Sequence, residues 1–123
     1  MKGEGCVVTG GSGMVGHAMK KTLPGASYPD RSYLNSILSL PLCAPHLKDK
    51  NIIHLAAKVG GIQANLNSVG DFYFENHRLN QHLLESAHAA GAKKLVSLLS
   101  TCVYPASPYV TYPLTEDQLH LGP

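Results

Sequence analysis

The sequence predicts an α/β fold, an open parallel sheet with helices on both faces. Three observations predict it. An apolar run, Cys6-Val7-Val8, ends in a glycine-rich turn with glycines at 10, 13 and 16 and continues into a helix-compatible stretch. Strand-like and helix-like segments then alternate along the chain, as parallel sheets with crossover helices require. Finally Leu95-Val96-Ser97-Leu98-Leu99 is nearly all apolar, the pattern of a parallel strand covered on both faces.

Each element has a local reason. Gly5 to Thr9 reads as the first strand. Met14 to about Thr22 reads as the first helix, stopped by Leu23-Pro24-Gly25. Tyr28 to Lys50 holds Pro29, Pro41 and Pro45 and has no clean periodicity. Asn51-Ile52-Ile53-His54-Leu55 reads as a short buried strand, followed by Ala56-Ala57 and a loop with Gly60-Gly61. From Asp71 to Ala90, Phe72, Leu79, Leu83, Ala87 and Ala90 form one helical stripe, and Gly91 suits a left-handed C-terminal cap. Lys94 to Leu99 is the last strand. Thr115-x-x-Gln118 fits a capping box that opens a short helix.

Composition bounds the function. A chain of 123 residues with 44% apolar content suits one folded domain rather than a disordered segment. Ten Lys and Arg against eight Asp and Glu give a net charge of +2, too weak to predict nucleic-acid binding or an anionic membrane partner. Cys6, Cys43 and Cys102 lack metal-type spacing, and no apolar run has membrane-spanning length, so the expectation is a reduced, cytoplasmic setting. No metal site is expected either. His77 and His82 stand about 140° apart around a helix and do not converge.

Thr9-Gly10-Gly11-Ser12-Gly13-Met14-Val15-Gly16 carries the clearest chemistry. Free N–H groups at a helix start, together with the helix dipole, favour a phosphate, and a side chain in the turn would block its approach. In parallel sheets ligands bind beyond the carboxyl ends of the strands. The glycine turn, the segment after His54-Leu55-Ala56-Ala57 and the segment after Leu99 are therefore expected to converge. Lys58 to Asn65 is either a ligand-contacting loop or an ordinary surface connection. Asn76 either bonds into the sheet or neighbouring loop, or is exposed. Ser100 is either a donor to a substrate carbonyl or a loop hydroxyl bonded to backbone. Cys102 is either an acid or base, or a small buried residue at a strand end.

These segments together resemble the extended short-chain dehydrogenase/reductase family, and more narrowly its GDP-L-fucose synthase branch. The resemblance rests on the glycine turn, His54-Leu55-Ala56-Ala57-Lys58-Val59-Gly60-Gly61-Ile62, the spaced Asn65, Asp71, Phe72 and Asn76, and Ser100-Thr101-Cys102-Val103-Tyr104-Pro105. The glycine turn is shared widely among sugar-nucleotide enzymes. The Val-Gly-Gly and Ser-x-Cys-x-Tyr-Pro stretches are more specific.

The resemblance implies a Rossmann-like domain over residues 1–123 that binds NADP(H). It implies epimerisation of GDP-4-keto-6-deoxymannose and then reduction by NADPH. Gly10, Gly11, Ser12, Gly13, Met14, Val15 and Gly16 would hold the pyrophosphate. Ala56, Ala57 and Lys58 would line the cofactor, Ser100 would polarise the substrate carbonyl, and Cys102 would serve as acid and base. A homodimer through the Asp71–Ala90 helix is also implied.

The pattern departs from this family in two places. Its Tyr-x-x-x-Lys pair is missing, since the residues four beyond the tyrosines are Ser32, Ile37, His77, Pro108, Pro113 and Glu116. The partner histidine of Cys102 and the C-terminal substrate domain are expected to be absent as well. The interval from Gly16 to His54 is also short, so the fold is expected to be truncated and to lack a strand. Asp30 and Arg31 fall where a ribose grip is sought. Pro29 makes a poor strand there, and a surface turn is the favoured reading. The chain is thus expected to be an inactive cofactor-binding fragment. A non-catalytic nucleotide-binding or dimerising module, or a piece of another sugar-nucleotide epimerase or dehydratase, are the alternatives.

Overall fold

The computed structural model describes residues 2–32 and 45–121. Cys43 and most of the proline-rich segment before residue 45 lie outside them. Three parallel strands form a sheet in the order β1-β2-β3: β1 is Cys6–Thr9, β2 is Asn51–His54 and β3 is Lys94–Ser97. The helices are α1 (Met14–Thr22), α2 (Ile62–Asn67) and α3 (Val69–Ala90). The expected parallel α/β fold is therefore the observed one.

The register explains the layering. Val7, Ile52 and Leu95 pair across the strands and share one face. Leu83 and Ala87 of α3, with Leu47 from the short helical turn Pro45–Leu47, close over that row. On the opposite face the row Val8, Ile53 and Val96 runs from fully buried to 42% exposed. One residue pair beyond the apolar row, Thr9, His54 and Ser97 form a polar row at the carboxyl ends.

Local chemistry sets the helix limits. Lys20 and Lys21 occupy the last turn of α1, where the helix dipole favours cations. Gly91 caps α3 at φ 74°, a conformation that costs glycine little. The sought second strand is reduced to a single parallel bridge between Val7 and Ser27, beside β1. There the Val8 N–H donates to the Ser27 carbonyl at 2.8 Å.

Two expectations need correction. β3 is not covered on both faces. It is the outer strand of the described sheet and only Leu95 is half-buried; Leu98 and Leu99, beyond its end, are 60% and 77% exposed. Apolar content had suggested cover, but cover depends on neighbours that the described residues do not supply. The Thr115-x-x-Gln118 capping box is not formed either. A 3-10 helix spans Glu116–His120, and Gln118 Nε2 donates to Thr115 Oγ1 at 2.9 Å. Gln118 Oε1 accepts the Thr111 N–H instead, so a tertiary bond wins over the local cap.

Leu83→Ala empties a fully buried site in a small core and is expected to cost about 2–5 kcal/mol in urea unfolding. The exposed row from Val96 to Leu99 is expected to make the chain associate as its concentration rises. Light scattering checks this: Leu99→Lys should reduce the association, and unchanged behaviour would clear this edge of the effect. Burial pushes the His54 imidazole below its ordinary value, while its bond to Asn80 partly opposes the shift. The unfolded chain therefore takes up this proton first, and stability is lost as pH falls below about 6.5. His54→Gln should flatten the fall in urea midpoint between neutral and mildly acid pH.

Candidate functional site

A cavity of about 780 Å³ lies at the carboxyl ends of the strands. Gly10 through Gly16 form one wall, and Leu55 through Val59 form another. Every residue of the expected cofactor set, Gly10 to Gly16 and Ala56 to Lys58, lies on it. Phe74, Glu75, Arg78 and Leu79 of α3 complete it, together with Leu98, Asp30 and Arg31.

Three glycines have separable reasons. Gly10 holds φ 74°, and a Cβ there would stand 2.7 Å from the Ala56 nitrogen. Gly16 is buried, and a Cβ there would stand 2.3 Å from the Gly10 carbonyl oxygen. Gly13 is different. Its nearest neighbour would be the Gly10 carbonyl oxygen at 3.4 Å, an ordinary contact rather than a clash. One glycine thus makes the turn, one seats the helix on the turn, and one leaves backbone bare toward the cavity. A pyrophosphate needs that division. Gly13 precedes α1 as its N-cap without a side-chain cap, and the first turn holds no acidic residue. The orphan N–H groups are left for an anion. The residues present therefore fit a dinucleotide.

The opposite loop is tied down from α3 and α2. Asn76 Oδ1 accepts the Lys58 N–H at 2.7 Å, and Asn76 Nδ2 donates to the Lys58 carbonyl at 2.9 Å. Of the two readings for Asn76, the bond to the neighbouring loop is the observed one. Asn65 Nδ2 donates to the Gly60 and Gly61 carbonyls at 2.9 and 3.1 Å. A Cβ on Gly60 would meet Phe72 Cζ at 2.9 Å, so the loop packs on that ring. The Lys58 ammonium pairs with Glu75 and stands 5.3 Å above the Phe72 ring.

The segment after β3 contributes less than expected. Leu98 reaches the cavity wall, but Ser100 and Cys102 do not. Ser100 Oγ accepts the Cys102 N–H at 3.1 Å and caps the 3-10 helix Thr101–Val103. Its proton stays available to donate. Cys102 is exposed rather than buried at a strand end. Asp30 and Arg31 are exposed, but Arg31 is helical rather than part of a turn, and both stand on the cavity wall. The turn reading thus understated them. Arg78, Phe74 and Glu75 were not singled out from sequence. The four-residue spacing of Phe74 and Arg78 is the signal that could have found that pair, because it puts them on one side of α3; Glu75, about 100° further round, carries no such signal. Among the described residues no three His, Cys, Asp or Glu side chains gather as a metal would need.

Residues 43–123 match the NAD dependent epimerase/dehydratase family. The chain belongs to this family. Membership implies a nicotinamide cofactor. The chain is 35% identical to the probable GDP-L-fucose synthase of Drosophila melanogaster, over 95% of this chain and 39% of the relative. It is 33% identical to the GDP-L-fucose synthase of Dictyostelium discoideum, over the same shares. It is also 33% identical to the GDP-L-colitose synthase of Yersinia pseudotuberculosis, over 94% of this chain and 39% of that one. The solved structure of DdhaC superposes with a TM-score of 0.76 at 26% identity, covering 100% of this chain and 37% of that one. The chain therefore spans about two fifths of the length of the curated relatives it matches.

The glycine roles predict a split between stability and binding. Gly16→Ala and Gly10→Ala each force backbone apart and should cost about 1–3 kcal/mol in thermal unfolding. Gly13→Ala should leave stability within about 1 kcal/mol, because its Cβ meets only a loose contact. Calorimetric titration with ADP should nonetheless find Gly13→Ala the weaker binder; equal affinity would put the phosphate elsewhere.

Proposed function

We propose that the chain is the cofactor-binding portion of a cytoplasmic, GDP-L-fucose synthase-like enzyme. In the complete enzyme NADPH would serve epimerisation and reduction of GDP-4-keto-6-deoxymannose. The observation that carries this reading is the single cavity walled by Gly10–Gly16 and Ala56–Lys58 at the carboxyl end of a parallel sheet. Names of the relatives support the substrate class. Bound NADPH would supply the hydride for reduction.

The chain's own groups would then divide the work. Backbone N–H groups at Gly13 to Val15 would hold the pyrophosphate. Ala56, Ala57 and Lys58 would support the nucleoside part, the Lys58 backbone fixed by Asn76. Arg31 and Arg78, two guanidinium groups on the same wall, favour the 2′-phosphate of NADP(H) over a bare ribose. Ser100 would donate its free proton to the substrate ketone, since its oxygen already accepts a backbone N–H. Cys102, exposed one turn on, would exchange protons with the sugar during epimerisation. No lysine stands four residues beyond any tyrosine, so the pair that would deliver a proton to the forming alkoxide is missing. The isolated chain is accordingly proposed to bind cofactor without turnover.

A second reading concerns association. Elsewhere α3 leaves Val69, Tyr73 and Leu84 exposed, apolar groups suited to a homodimer or to a larger subunit. Under this reading the chain is a dimerising module that binds nucleotide.

Titration of the purified chain with NADPH, followed by its fluorescence, should show saturable binding that ADP competes. Arg31→Ala should weaken NADPH more than NADH. Adding the keto sugar should produce no NADPH oxidation. Absence of binding would refute the cofactor site, and turnover at the rate of a complete enzyme would refute the inactive reading.

A further inference from the structure

Beneath the two cavity loops lies a polar chain, buried at Thr9 and His54, that the cofactor reading does not use. Thr9 and His54 are register partners at the ends of β1 and β2, 1% and 6% exposed. Thr9 Oγ1 and His54 Nδ1 are 2.7 Å apart. The Leu55 and Ala56 N–H groups both donate to Thr9 Oγ1, each at 3.3 Å. A hydroxyl has one proton and two acceptor sites. With both sites taken, the Thr9 proton goes to His54 Nδ1. The imidazole is then neutral, with its proton on Nε2, donated to Asn80 Oδ1 at 2.8 Å. Each member has one role that agrees with the next, and the chain runs from the glycine turn through β2 to α3.

We propose that Thr9, His54 and Asn80 form a positioning relay that sets the spacing between the glycine turn and the Leu55–Lys58 loop. His54 is its central member and touches no ligand. Thr9 directly precedes Gly10, and its oxygen holds two N–H groups of the facing loop. That oxygen points correctly only while its proton is drawn off toward His54. His54 in turn is aimed by Asn80, one helical turn beyond the Asn76 that clamps the same loop. A shift of the Leu55–Ala56 backbone would matter at once, because Gly10 already approaches it too closely for a Cβ. The inference rests on the nicotinamide reading for its consequence in binding, but not for the relay itself.

Two measurements on the full chain test it. One is the NADPH dissociation constant; the other is amide hydrogen exchange at Leu55 and Ala56, read by NMR. Thr9→Val removes the hydroxyl and should weaken NADPH roughly tenfold, the scale of one lost hydrogen bond. It should also speed exchange at both amides. Thr9→Ser restores the hydroxyl and should keep both values within about twofold of the parent. Leu83→Ala, remote from the loops, lowers stability and should leave the dissociation constant unchanged well below its melting temperature. Should Thr9→Val not fold, Asn80→Ala removes only the far acceptor and carries the same comparison. The relay is overturned if Thr9→Val leaves both readouts unchanged, or if Leu83→Ala weakens binding equally. If the parent chain binds no NADPH, the cofactor reading fails and exchange alone decides the relay: faster exchange in Thr9→Val supports it, and unchanged exchange overturns it.

Discussion

The site depends on one close approach between two backbones, the turn at Gly10 and the chain at Leu55–Ala56. Parallel pairing of β1 with β2, with Thr9 opposite His54, delivers both loops to the same height above the sheet. There they meet so tightly that only hydrogen fits at Gly10. The left-handed turn then swings the chain outward, and Gly16 seats the new helix on the turn it has just left. The start of α1 faces the cavity as a consequence. The bare backbone facing the cavity is a result of strand register and two missing side chains, and needs no charged residue of its own.

One stripe of α3 serves both the core and the site. Asn76, Asn80, Leu83 and Ala87 follow at steps of four, three and four residues, the spacing of a single helix face. At its amino-terminal end the stripe is polar and holds the Lys58 backbone and His54. Toward its carboxyl end it is apolar and closes over Val7 and Ile52. The change of character falls where the sheet changes from its apolar row to its polar row. The core contact and the clamps of the site are therefore built on successive turns of one helix face.

Much of this was legible in the sequence where local signals and tertiary demands agree. Met14 and Thr22 bound α1 as read, because Pro24 and Gly25 stop it. Gly91 reads as a left-handed cap and is one. The glycine side of the cavity was legible because glycine spacing reports backbone approach directly. Gln118 was misread because a capping box is local, whereas its side chain answers to Thr111. β3 was overread because apolar content says what could be buried, not what covers it. Arg78 escaped because its role depends on which side of α3 meets the cavity. His54 reads as a buried strand residue, and nothing in its neighbours names Thr9 and Asn80 as partners 45 and 26 residues away.

The most direct test of the central claim is a map of backbone amide shifts on titration with NADP⁺. The account predicts saturable changes at Gly11 to Val15, Ala56 to Lys58 and Arg31, with the core amides of Ile52 and Leu83 unmoved. Shifts centred elsewhere, or none at all, would contradict a dinucleotide site built on the Gly10 contact.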